Sequence, residues 1–209
     1  MAKHGVWPLV HTERAALAAD LAELDDEAWA TPSLCEGLSV REVLAHVTAG
    51  ASLTPLRWLA GVVKCRFDFD RQVAMRLAEQ LGDTPGETLA RFRDVVGSRT
   101  KPPLPVMAML GEAVVHGEDI RRPLGLVREH PVETVTAVAE FCRGTDQVVL
   151  AKGRIRGLRL TATDGPFETG PEDGAPVTGT TIALIMAMTG RKAFCEDLTG
   201  SGVAVLRER

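Results

Sequence analysis

Residues 104–122, LPVMAMLGEAVVHGEDIRR, read as one helix with Met109, Ala113, Val114 and Ile120 among its apolar positions. Pro123 and Gly125 follow, and the missing proline N–H ends the helix there. Glu112 and His116 stand four residues apart, a spacing that stacks their side chains on one helix face. Both border the apolar side, where a carboxylate is costly to bury unless it is paired or bound to a cation. A Glu/His pair at this spacing also steadies an ordinary helix, so the pair alone does not define a site. His46, in SVREVLAHVTAG (residues 39–50), falls three residues after Val43 on the apolar stripe of an earlier helix. Two histidines and one glutamate on inward faces of a helical bundle are the chemistry of a His/His/carboxylate metal site.

Helical signals dominate the chain around these residues. Residues 11–29 carry Leu17, Leu21 and Leu24 at helical spacing, with Ala15, Ala18 and Ala22 among them. TPSLCEG (31–37) is a turn. Ser39 with Glu42 forms a capping box ahead of the stripe Val40, Val43, Leu44 and Val47. The third helical segment comes in two parts, because Thr84-Pro85-Gly86-Glu87 is a second capping box with proline at the first helical position. Pro102, Pro103 and Pro105 then punctuate the chain before the helix of 104–122. Beyond residue 131 the pattern changes. PVETVTAVAEFC reads as a short helix, and RGLRLTAT alternates as a half-buried strand does. TTIALIMAMTGR (180–191) reads as an apolar helix, and VAVLRE as a closing strand after the turn Leu198–Gly202. The expected fold class is mainly α, with a helical bundle over residues 1–128 and a small α/β domain over 129–209.

Composition narrows the function. The 209 residues carry a net charge of −4, and no run is basic enough for nucleic acid. No stretch of ~18 uncharged apolar residues occurs, so no membrane span is expected. The N-terminus turns polar too soon for a signal peptide. Cys35, Cys65, Cys142 and Cys195 form no CxxC pair, and a cytoplasmic protein with reduced thiols is expected. Neither GxSxG nor a P-loop is present, which removes support for serine-hydrolase and nucleotide chemistry. Cys35 has no base beside it in sequence and reads as inert. Asp119 reads as solvent-facing beside Arg122, and Arg121 and Arg122 as charges that suit a helix C-terminus. His4, His11 and His130 read as solvated.

TPSLCEGLSVREVLAHV, followed by GEAVVHGEDIRRPLG, resembles the mycothiol-dependent maleylpyruvate isomerase family of the wider DinB-like metalloprotein superfamily. The motif is a Trp-x-x-Pro-Ser turn, a histidine on the next helix, then Glu-x3-His in a helix ending Arg-Arg-Pro-Leu-Gly. The tail, TGRKAFCEDLTGSGVAVLRER, resembles that family's sterol-carrier-protein-like C-terminal domain in a shortened form. The resemblance implies a DinB-like four-helix bundle and places zinc ligands on His46, Glu112 and His116. It implies a divalent metal, zinc first and Ni2+, Fe2+ or Mn2+ as alternatives, with mycothiol as thiol cosubstrate.

A metal-coordinated thiol loses its proton and becomes a nucleophile at neutral pH. The expected activity is thiol-assisted isomerisation or S-transfer on a small electrophile. Arg191, at the end of the tail helix, is the expected catalytic partner of a substrate carboxylate. The expected partners are that electrophile and the thiol, with no nucleic acid or membrane, in a monomer or homodimer. Two other readings stand beside this one. One is a non-catalytic small-molecule-binding protein, motivated by the apolar helix around Ile182–Met188. The other is a hydrolase whose metal activates water.

Overall fold

The computed structural model describes residues 5–146 and 150–209; the expectation for His4 lies outside them. The chain forms two compact units, one ending at Val127 and the other spanning Arg128–Arg209.

The first unit is wholly helical among its described residues: α1 (Trp7–Asp20), α2 (Asp26–Ala30), α3 (Val40–Ser52), α4 (Pro55–Lys64), α5 (Phe69–Ala78), α6 (Pro85–Val95) and α7 (Val106–Arg121). Helices α1, α3, α6 and α7 make the four-helix bundle: α3 packs on α6 and α7, and α1 on α7. Helix α5 leans on α3, and α4 on α5. Leu17, Leu21, Val43, Leu44, Val47, Phe92 and Ile120 meet in the core. Burying each of these side chains contributes about 1.5–3 kcal/mol.

The expected helix of 11–29 is two helices. Asp25 caps α2 by accepting from the Ala28 N–H at 2.8 Å, so the chain breaks and restarts between Leu21 and Asp25. The capping box at Ser39 and Glu42 forms in full, each side chain meeting the other's backbone N–H. At Thr84 only half of the box forms. Its hydroxyl accepts from the Glu87 N–H, but the Glu87 carboxylate accepts from Asp83 instead of Thr84.

The second unit holds α8 (Val132–Arg143), α9 (Ala151–Arg154), β1 (Leu158–Ala162), β2 (Glu168–Thr169), β3 (Ala175–Gly179), α10 (Thr181–Met188), a 3-10 turn (Lys192–Asp197) and α11 (Val203–Glu208). Its sheet has the order β2-β1-β3, with β1 antiparallel to β2 and parallel to β3. Helix α10 is buried from Ala183 to Met188 and packs on α8. Its apolar run is therefore the core of this unit, which removes the motive for reading it as a ligand-binding face. The expected closing strand VAVLRE is a helix instead. β3 already meets Thr199 in a single bridge at Thr178, and of the segment's side chains only Leu206 is buried. No described helix is long and apolar enough to cross a membrane.

Candidate metal centre

Helix α7 carries Glu112, His116 and Asp119 at spacings of four and three residues, so one face presents all three. Helix α3 brings His46 to the same place. His46 Nε2 lies 3.7 Å from Glu112 Oε1, and the His46 and His116 rings meet edge-on with centroids 4.9 Å apart. Two donors on one tetrahedral ion at ~2.1 Å stand about 3.4 Å apart. The His46–Glu112 separation is close to that value and longer than a hydrogen bond. All three side chains are largely enclosed, at 28% exposure for His46, 15% for Glu112 and 19% for His116.

Asp119 corrects the sequence reading: it is fully buried rather than solvent-facing. His116 Nδ1–H donates to Asp119 Oδ2 at 2.9 Å, which leaves Nε2 as the ring's available donor atom for a metal. A ligating histidine held by a carboxylate in this way has its tautomer and orientation fixed. Cys35 is corrected too. The turn after α2 brings its thiol within 3.1 Å of Asp119 Oδ2 and 3.5 Å of His116 Nδ1, so it has an imidazole and a carboxylate beside it. The turn is pinned on both sides: the Leu34 N–H donates to the Asp119 carbonyl, and the Ser33 N–H to the Leu38 carbonyl.

Cys35, His116 and Asp119 form a cluster with donor atoms within 4.8 Å of one another. Their contacts of 2.9 and 3.1 Å are hydrogen-bond lengths, shorter than the spacing of donors around one ion. The trio is a hydrogen-bonded brace behind His116. His11, expected to be solvated, lies within α1, half-buried, with Nε2 3.3 Å from the Ser98 carbonyl.

Electrostatics differentiate the two imidazoles. Burial, reinforced by the neighbouring His116, lowers the His46 pKa to about 4, so this ring is neutral at pH 7. Burial also works against a charged His116, but the hydrogen bonds and negative charge of Asp119 and Cys35 outweigh it and raise the pKa to about 9. Without a metal His116 is thus an imidazolium at neutral pH, and binding an ion through Nε2 must displace that proton. Burial raises the Glu112 pKa, against the pull of His116 and Arg14. Arg14 is itself buried, donating from Nη1 to the carbonyls of Val95 and Ser98. A carboxylate that resists ionisation beside a neutral imidazole is a pair that a dication would satisfy.

Arg191 lies in the second unit, partly buried, with Nη1 donating to the Thr189 carbonyl at 2.9 Å.

Fold and site together define a helical-bundle protein with a cluster of imidazoles and carboxylates drawn from α3 and α7. Residues 10–101 match the family model of the mycothiol maleylpyruvate isomerase N-terminal domain, a span that includes His46 and ends before Glu112. The resemblance read from the sequence therefore holds at the level of this domain. Two solved structures share the fold: the mycothiol-dependent maleylpyruvate isomerase, at 17% identity, and a histidine-to-alanine mutant of it, at 15%. Each aligns with a TM-score of 0.57 over 93% of this chain and 91% of the other. No curated protein matches the chain at a significant level.

Proposed function

We propose that this protein is a divalent-metal-dependent enzyme that activates a low-molecular-weight thiol, mycothiol first among candidates, for thiol-assisted isomerisation or S-transfer on a small electrophile. The observation that carries the reading is the meeting of His46, Glu112 and His116, with Asp119 bonded behind His116. The donor set fits a borderline ion such as zinc. His46, Glu112 and His116 would hold it, and the ion would supply a lowered thiol pKa at neutral pH. The protein's own residues do the rest. Asp119 keeps the His116 proton on Nδ1, and the surrounding core of α3 and α7 limits water at the cluster. The family of the N-terminal domain and the names of the two structural neighbours support the thiol in preference to water as the group activated.

Turnover of an electrophile that requires both a thiol and the ion is the test. Thiol-independent hydrolysis would favour the water-activating alternative, and retention of a ligand without turnover would favour a binding protein. We assign Arg191 to recognition of a substrate carboxylate, because a guanidinium suits bidentate contact with such a group. Arg191→Ala is expected to raise KM about tenfold or more with metal content unchanged, as loss of a charge-assisted contact of roughly 1.5–3 kcal/mol requires. Steady-state kinetics with metal analysis checks this, and an unchanged KM would contradict a role for Arg191 in substrate recognition.

A further inference from the structure

We propose that Gly50 is a positioning residue for the Glu112 carboxylate, and that its missing side chain is what lets Glu112 stand beside His46. Gly50 lies in α3, one turn after His46, so both present the same helix face to α7. A Cβ built on Gly50 would stand 2.5 Å from Glu112 Oε1 and 2.8 Å from Oε2. Carboxylate oxygens do not tolerate a carbon at that distance, so any side chain at residue 50 must displace the Glu112 head group.

A glycine inside a helix otherwise has a cost. It is less favourable than alanine there by roughly 0.5–1 kcal/mol. The three atoms closest to the built Cβ all belong to the Glu112 head group, and the backbone is ordinary α-helix with no positive φ to require glycine. Stability and site geometry therefore make opposite demands on residue 50, and the structure satisfies the site.

This inference rests on the metal-centre reading, and the experiment separates the two. Zinc affinity is measured by chelator competition on the natural protein, Gly50→Ala and Gly111→Ala, with thermal melts of each metal-free protein. Gly111 lies in α7, and apart from its chain neighbours and its own helix backbone nothing stands within 4 Å of a built Cβ, so its alanine gains helix propensity without a clash against the rest of the fold. Gly50→Ala is expected to bind zinc at least about tenfold more weakly, the loss typical when the support of a metal ligand is disturbed. Its metal-free melting temperature should be unchanged or higher, and its cobalt(II) spectrum should differ from that of the natural protein. Gly111→Ala should keep the natural affinity. If the natural protein takes up no zinc, the metal-centre reading fails. If it does, and Gly50→Ala binds equally well with the same cobalt spectrum, the assignment of Gly50 fails. A Gly50→Ala protein that does not fold would contradict it as well, because the displaced group is the far end of a flexible side chain.

Discussion

His116→Ala is expected to weaken metal binding by about 100-fold or more and to destabilise the metal-free protein in a pH-dependent way. Structural zinc sites of four ligands are worth about 10–16 kcal/mol, so one ligand accounts for roughly 3 kcal/mol, or about two decades in affinity. The stability effect comes from Asp119, which is fully buried and loses its 2.9 Å partner. A hydrogen bond to a charged group contributes about 1.5–3 kcal/mol. The sign follows from the His116 pKa, raised from 6.5 to about 9 in the fold. The folded state binds the proton more tightly than the unfolded chain, so the stabilisation is fully present below pH 6.5 and disappears as pH rises through 9. The gap in melting temperature between metal-free natural protein and His116→Ala should therefore be widest near pH 6 and narrow as pH rises through 9. A gap independent of pH would mean that His116 is not the charged partner of Asp119.

Arg121→Ala should destabilise the fold by about 3 kcal/mol. Arg121 is 1% exposed, with Nε bonded to Asp20 Oδ2 at 2.7 Å and Nη1 to Glu118 Oε1 at 3.2 Å. It ties the last turn of the site-bearing helix to the end of α1. Removing one member of a buried pair costs about 3–5 kcal/mol, because the remaining charge stays buried. The Asp20 side chain is a third exposed and can rehydrate, which sets the expectation at the lower end. Urea unfolding measures it, and a shift below about 1 kcal/mol, the range of exposed pairs, would show that the guanidinium is not held as described.

The parts legible in sequence were those fixed by local chemistry. The Ser39/Glu42 box, the proline after α7, and the face shared by Glu112 and His116 all depend on residues within one or two turns of each other. What escaped depends on distant chain. Asp119 stands three residues after His116, a spacing visible in the sequence, but its burial comes from Cys35 and Leu34, more than 80 positions away. Nothing local distinguishes such an aspartate from a solvated one. Cys35 lacked a base for the same reason: its base arrives by folding. VAVLRE carries the β-branched Val203 and Val205 that favour a strand, yet it folds as α11, where only Leu206 is buried. The break between α1 and α2 was locally encoded in the Asp25 cap, and the continuous leucine spacing masked it.

Metal content tests the central claim most directly. Natural protein and His46→Ala would be exposed to equal zinc, freed of loosely held ion and assayed by elemental analysis with a parallel assay of thiol-dependent turnover. The account predicts about one ion per chain in the natural protein. It predicts loss of both ion and turnover in His46→Ala, with the fold retained. A natural protein that stays metal-free in excess zinc, or a His46→Ala variant that keeps its ion and its activity, would contradict it.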